Sequence, residues 1–315
     1  MILQVLSSII PIVFLIVLGF ILHEKQFLTK GLDRNLTFLV MNVALPASVF
    51  LSVVNNLTVK TLEELAKPLA IGLLAFAANY LISYVLMRLV RVPRGRRGVF
   101  LNTIVNANTI FIGMPLNQAL FGTEAVSYFL VYYVLNTLST WTIGSVLIAR
   151  DSRTEQASGG KMNLKQILSP PILGLLAAIP VLLLGLHLPK PITGSLSYLG
   201  SLVTPLSLLY IGIVLSEAGL KSVRFDKDTI AALLGKFLLS PCIMATALLL
   251  AGRIGIALPS LLRNTMIVQA AVPALTVLPI LAGDADGDVE YATNVVVTST
   301  ILFVIVIPIV MTFLK

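Results

Sequence analysis

Amide side chains stand out in an otherwise apolar stretch of the sequence around residue 106. Asn102 and Asn106 are four residues apart and share one face of a helix, and Asn108 follows them. A second amide, Gln269, lies in another apolar stretch with Thr276 shortly after it. Amide N–H groups donate to a carboxylate without bringing a competing charge, so Asn106, Asn108, Gln269 and Thr276 are predicted to contact an anionic ligand. The alternative, favoured for Asn102, is that such amides join helices.

Proline and glycine accompany both amide clusters. The stretch NANTIFIGMP (106–115) contains Gly113 and Pro115, and Pro273 stands in the second cluster. Proline lacks a backbone N–H and collides with the carbonyl four residues earlier, so a helix is predicted to break in each stretch, with Asn108 just before the first break. Broken backbone at membrane depth survives only where it is buried in protein or lines a cavity. The helix ends would offer N–H groups to an anion and carbonyl groups to a cation, which adds Gly113 and both prolines to the predicted binding site.

Lys236 is the one charged residue well inside an apolar stretch, LLGKFLLSPC (233–242). A charge at this depth is costly and predicts a functional role, here as a part of the binding site. The alternative is that its flexible stem carries the amine to the membrane surface. No aspartate or glutamate lies equally deep, so proton coupling would depend on Lys236 or on the substrate's own carboxyl group.

The sequence offers little for metal or covalent chemistry. It contains one cysteine and two histidines, too few for a metal site built on these side chains. It has no Gly-x-Ser-x-Gly motif and no deep pair of carboxylates, which argues against an intramembrane hydrolase. We therefore predict neither an enzyme nor a bound metal or cofactor, and the choice between H⁺ and Na⁺ as a coupling ion stays open.

The composition is that of a membrane protein. Of the 315 residues, 57% are hydrophobic and 11% are charged, and the mean hydropathy is +0.98; soluble proteins carry about a quarter charged residues. At roughly 20 apolar residues per span, the sequence predicts an all-α polytopic protein with ten transmembrane helices. The predicted spans are 3–22, 34–54, 66–90, 98–121, 125–149, 165–187, 190–217, 228–252, 260–282 and 289–314.

Basic residues predict the orientation in the membrane. Fifteen of the 22 lysines and arginines follow spans 1, 3, 5, 7 and 9, six lie on the opposite side, and Lys236 is the remaining one. Both termini are therefore predicted outside the cytoplasm of a cell inner (plasma) membrane, with the polar linker 150–164 inside. The net charge of +8 is explained by this asymmetry and by contact with membrane lipids, so no nucleic-acid partner is predicted.

The linker separates two halves, 1–149 and 165–315, that resemble each other in their prolines. Pro11, Pro46 and Pro115 recur as Pro171, Pro205 and Pro273, at offsets of 160, 159 and 158. Because five spans is an odd number, the second half enters the membrane from the opposite side, and the halves form an inverted repeat. Inverted repeats with broken helices are typical of alternating-access transporters, so spans 4 and 9 are predicted to cross at their breaks.

Three longer motifs suggest a family. LVMNVALPASVFLSVV (39–54), NANTIFIGMPLNQALFG (106–122) and the stretch from Val268 to Val310, which begins VQAAVPALTVLPILAG, resemble spans 2, 4 and 9–10 of the auxin efflux carrier family. The short linker is similar to that of the bacterial malate and malonate permease branch. The resemblance implies ten spans that cross at Pro115 and Pro273, a carboxylate bound by Asn106 or Asn108, and a homodimer as a candidate assembly. Many members have an asparagine after the ninth-span proline, where this chain reads PALTVLP.

The sequence thus favours a secondary carrier of small organic anions such as malate. Two alternatives stay open within transport: a sodium-coupled symporter of the bile acid transporter type, which shares the crossed-helix plan, and an exporter of an auxin-like aromatic carboxylate.

Overall fold

The computed structural model describes residues 2–28, 31–58, 65–151, 169–186, 188–219 and 223–314, and every regular element in these ranges is a helix. Seven helices are long and apolar enough to cross a membrane, by length and composition. Most of the predicted linker, from residue 152 onward, lies outside the described residues, as do the first four residues of the predicted span 165–187. The described helices are α1 (Ile2–Glu24), α2 (Leu32–Asn56), α3 (Ala66–Val90), α4 (Arg97–Val105), α5 (109–121), α6 (Thr123–Ala149), α7 (Pro170–Leu183), α8 (Lys190–Ala218), α9 (Lys227–Arg253), α10 (Ser260–Ala270), α11 (Leu278–Asp284) and α12 (Val289–Phe313).

Wide helical turns accommodate several prolines inside these helices. A proline cannot donate to the carbonyl four residues earlier and its ring crowds that carbonyl, so the preceding turn widens to a π-type turn and the helix continues. Three such turns end two residues before a proline: Val40–Ala44 before Pro46, Thr109–Gly113 before Pro115, and Gly235–Leu239 before Pro241.

Helices α1 and α8 pack closely because each has a glycine at the contact. A Cβ atom on Gly19 would collide with the backbone carbonyl of Leu209, and one on Gly212 would collide with the carbonyl of Ile16. Helix α7 packs on α2 in a similar way. On the other side of the molecule, α3 contacts α4 and α9, and α9 contacts α10.

Two interruptions of helical backbone lie against each other in the interior. The first covers residues 106–108, between α4 and α5, and the second covers residues 271–277, between α10 and α11. The backbone N–H of Asn108 donates to the carbonyl of Pro273 at 2.8 Å, so the two interruptions are in direct contact.

The first interruption begins earlier than the sequence predicted. The break was expected after Asn108 and next to Pro115, but the non-helical residues end at Asn108, and Pro115 lies inside α5. Helix α5 starts at once because the Asn108 side chain caps it, accepting from the Phe111 N–H at 3.3 Å, and the wide turn before Pro115 absorbs the missing N–H. Pro273, by contrast, lies within the second interruption, so the two prolines occupy different positions relative to the gaps.

Candidate functional site

The first interruption reverses the polarity of the helix end within three residues. Asn106 ends α4 in an extended conformation, with φ −96° and ψ 155°, and Asn108 opens α5 with φ −72° and ψ 69°. A helix C-terminus carries a partial negative charge on its carbonyls, and a helix N-terminus a partial positive charge on its N–H groups. Both kinds of end therefore lie next to each other in the interior of the protein.

Asn136 of α6 holds the middle of this interruption. Its Oδ1 accepts from the Ala107 N–H at 2.8 Å, and its Nδ2 donates to the Ala107 carbonyl at 3.0 Å. One side-chain amide thus satisfies both backbone groups of a buried residue that no helix serves. This role could not be predicted from the sequence, because Asn136 is 29 positions from Ala107 and no local pattern connects the two residues.

The Asn106 side chain is fully engaged within the protein. Its Nδ2 donates to Tyr80 Oη at 3.1 Å and to Asn102 Oδ1 at 2.8 Å, and its Oδ1 accepts from Ser139 Oγ at 2.6 Å. Asn102 in turn donates to the carbonyls of Gly98 and Gly144, which joins α4 to α6. This geometry favours a positioning role for Asn106 over the predicted contact with a ligand.

A cavity of about 790 Å³ opens beside the two interruptions. Residues of α2, α5, α6, α8 and α11 line it, together with Asn108 and Thr276 from the interruptions. Asn108 is only 3% exposed, and its Nδ2 has no hydrogen-bond partner among the described residues; the same is true of Thr140 Oγ1, which also lines the cavity. A buried donor without a partner costs about 1–3 kcal/mol, which a ligand acceptor would recover.

The rest of the lining combines aromatic rings with a single positive charge. Phe111 and Tyr210 face each other with ring centroids 4.4 Å apart, and Trp141, the only tryptophan in the sequence, lines the same cavity. Arg34 and Asp33, at the start of α2, are the charged residues of the described lining. The sequence assigned Arg34 only to membrane orientation, because nothing in its neighbourhood indicates that α2 borders the interruptions.

Gln269 ties the two interrupted pairs of helices together. Its Nε2 donates to the Gly113 carbonyl at 2.9 Å, and a Cβ atom on Gly113 would collide with Gln269 Oε1. Gly113 therefore leaves room for the Gln269 side chain in this position. Neither residue is part of the cavity lining, and neither are Pro115 and Pro273, so these predicted site residues surround the cavity without bordering it.

Lys236 lies on the opposite side of the first interruption. Its side chain is 0% exposed, and its Nζ donates to the Asn106 carbonyl at 2.8 Å. In this structure the lysine thus points into the protein, not toward the membrane surface, and it does not line the cavity.

Buried charges also fix the beginning of α4. Asp151 Oδ2 accepts from the Gly98 N–H at 2.6 Å, and burial raises the pKa of Asp151 to about 6, although bonds from the backbone N–H groups act in the opposite direction. Just before α4, Arg96 makes ion pairs with Asp288 at 2.7 Å, Asp226 at 3.0 Å and Asp228 at 3.3 Å. These bonds join α4 to the starts of α9 and α12. Across the described residues, no group of three or more His, Cys, Asp or Glu side chains is arranged to hold a metal ion.

Comparison with known proteins relates the chain to membrane transporters over nearly its whole length. The family profile described as membrane transport protein matches residues 4–311. A protein of Methanothermobacter thermautotrophicus described as an uncharacterized transporter is 24% identical over 304 residues, which is 96% of both chains. A second uncharacterized transporter, from Methanocaldococcus jannaschii, is 23% identical over 306 residues, again 96% of both chains.

Proposed function

Because the chain belongs to the membrane transport protein family, we propose that it is a secondary active transporter of small organic anions that binds its substrate in the cavity beside the two interruptions. Family membership confirms the resemblance drawn from the sequence motifs and points to a multi-pass membrane transporter, not to an enzyme. The observation that carries the substrate class is Asn108 Nδ2, a buried donor without a partner at the start of α5.

The surroundings of Asn108 suit a carboxylate. The N-terminus of α5 contributes a partial positive charge, and Thr140 offers a hydroxyl without a partner. Arg34 supplies a full positive charge to the same cavity. Asp33, beside Arg34, opposes part of this charge, so the preference for an anion rests mainly on the unpartnered donors of Asn108 and Thr140 and on the α5 N-terminus.

The transport cycle we propose depends on an inverted repeat of five plus five spans, in which spans 4 and 9 cross at their interruptions. The hydrogen bond from Asn108 to Pro273 supports this crossing. In the predicted repeat, α1 corresponds to α7 and α2 corresponds to α8. The contact of α1 with α8 therefore has its counterpart in the contact of α7 with α2, which supports the repeat. Arg34, Trp141 and Ser169 all belong to the end of the molecule that the basic residues assign to the cytoplasm, so we assign this structure to an inward-facing state, with both termini outside.

The cargo we propose is malate or a related small carboxylate. A second candidate, an aromatic carboxylate of the auxin type, is favoured by one observation, namely the rings of Phe111, Trp141 and Tyr210 in the cavity lining. The described lining also contains one arginine, Arg34, which can pair with a single carboxylate group, so the site suits a monocarboxylate as well as a dicarboxylate.

Trp141 makes a direct binding test available. We expect its fluorescence in the purified protein to change saturably with at least one acid of a panel that includes malate, malonate, succinate and phenylacetate, and not with the matching neutral amides. Trp141→Phe serves as the blank, and uptake of the same labelled acid into proteoliposomes tests transport. The proposal would be overturned if the acids and the amides changed the fluorescence equally. It would also be overturned if neither did so and the proteoliposomes took up an unrelated solute instead.

A further inference from the structure

Lys236 carries a buried amine without a carboxylate partner. Within the part of the chain that the structure describes, its only hydrogen bond goes to the Asn106 carbonyl, and no ion pair includes it. Close packing fixes this position, since a Cβ atom on the neighbouring Gly235 would come within 2.5 Å of Ile104 Cδ1 on α4. Lys236 is therefore an interior residue whose position is determined by helix packing.

The Asn106 carbonyl is the acceptor end of a half-helix. Helix α4 ends at Val105 with Asn106 as its C-cap, so the carbonyls at this point carry the partial negative charge of the helix dipole. Interrupted helices in ion-coupled transporters use such carbonyl ends to coordinate a sodium ion or a proton-carrying group. In this chain Lys236 Nζ, at 2.8 Å from the carbonyl oxygen, fills that place.

We propose that Lys236 is the resident cation of the crossing, held by its side chain where a coupling sodium ion would otherwise bind, so that transport needs no sodium. The inference rests on the proposed transport function and decides one alternative that the sequence left open. It also separates the roles of the predicted site residues: Asn108 faces the substrate, and Lys236 neutralises the opposite end of the interruption.

Sodium-specific stabilisation tests this assignment without requiring a known substrate. Melting temperatures of the purified protein are compared in NaCl and in choline chloride at equal ionic strength, together with ²²Na⁺ binding. We expect no sodium-specific change for the wild type. Lys236→Ala leaves the carbonyl end empty, so it should bind ²²Na⁺ and melt about 1–2 °C higher in NaCl than in choline chloride, as linkage predicts for about 1 kcal/mol of binding energy.

Two further variants complete the test. Lys236→Met fills the space of the lysine without its charge and should be destabilised equally in both salts. Lys227→Ala removes a lysine that also donates to a carbonyl, that of Val90, but at the surface, and should behave like the wild type. The proposal fails if the wild type binds ²²Na⁺ or is stabilised by sodium, even where Lys236→Ala does not fold. It also fails if folded Lys236→Ala shows no preference for sodium. Because neither readout involves a carboxylate, an incorrect substrate class would leave the result unchanged.

Discussion

Asn108→Asp is the sharpest perturbation of the proposed substrate site, because it replaces only Nδ2 by an oxygen. The Oδ1 atom that caps α5 by accepting from the Phe111 N–H is kept, and aspartate is as good an N-cap residue as asparagine. A negative charge at a helix N-terminus is moreover favourable for the helix. We therefore expect the variant to fold, with a melting temperature lowered by the burial of the new carboxylate.

Binding of a carboxylate, by contrast, should nearly disappear. Loss of a hydrogen bond to a charged group costs about 1.5–3 kcal/mol, which alone weakens binding about 10- to 150-fold. Two negative charges about 4 Å apart add repulsion of about 4 kcal/mol at an effective dielectric constant near 20, less where water screens them. The dissociation constant should thus rise by more than about 100-fold.

The assay is a Trp141 fluorescence titration at pH 8, where the introduced carboxyl group is ionised, with melting temperature as the folding control. Asn55→Asp, at the exposed outer end of α2, is the matched control and should leave binding unchanged. Asn108→Ser keeps a capping oxygen but lacks the amide, and should weaken binding by the smaller factor alone. If folded Asn108→Asp binds the carboxylate with wild-type affinity, the assignment of Asn108 as the anion donor is wrong.

Three other residues give independent predictions. Asn136→Ala leaves both backbone groups of Ala107 without a partner, so it should lower the free energy of unfolding by about 2–4 kcal/mol in chemical denaturation and reduce uptake, while Asn55→Ala should do neither. Gly113→Ala forces its new methyl group onto Gln269 Oε1 and should lower the melting temperature, and adding Gln269→Ala should restore it; a neutral Gly113→Ala would show that the Gln269 side chain can turn aside without cost. The folded protein binds a proton at Asp151 up to pH about 6, higher than in an unfolded chain, so stability contributed by this group falls as pH rises from about 4 to 6, by about 3 kcal/mol. Asp151→Asn should lack this fall, and identical pH profiles of the two proteins' melting temperatures would contradict the burial of Asp151.

Helix positions and family could be predicted from the sequence because both depend on local pattern. The predicted spans 66–90 and 190–217 agree with α3 (Ala66–Val90) and α8 (Lys190–Ala218) to within a residue, since long apolar runs between charged ends fix where such helices begin and end. The membrane character and the transporter family are confirmed by the family match, which spans residues 4–311. That two stretches would interrupt their helices was also predictable, because amides, glycine and proline are costly inside an apolar helix.

What the sequence could not supply are contacts between distant residues. Proline chemistry located the first break near Pro115, but the gap lies upstream, where Asn136 satisfies Ala107 and Asn108 caps the next helix. Asp151 was treated as a part of a polar linker, although it is buried against the start of α4. Each of these roles is decided by a partner at least 29 residues away or by a cap geometry, and neither leaves a periodic pattern in the sequence.

The arrangement around the first interruption also explains why an amide, and not a charged side chain, borders the cavity at the interruption. A transporter must release its cargo, so the site has to bind the anion firmly enough to desolvate it and weakly enough to let it leave. A buried ion pair between a guanidinium group and a carboxylate would be costly to break, because it leaves a buried charge without a partner, at a cost of about 3–5 kcal/mol. Asn108 and the α5 N-terminus supply only partial charges, and the Lys236 amine is bonded to the Asn106 carbonyl, out of direct contact with the cavity. A protonated Lys236 then lowers the cost of bringing an anion to this depth, while the bonds that break at this end of the cavity on release are the hydrogen bonds from Asn108 and Thr140.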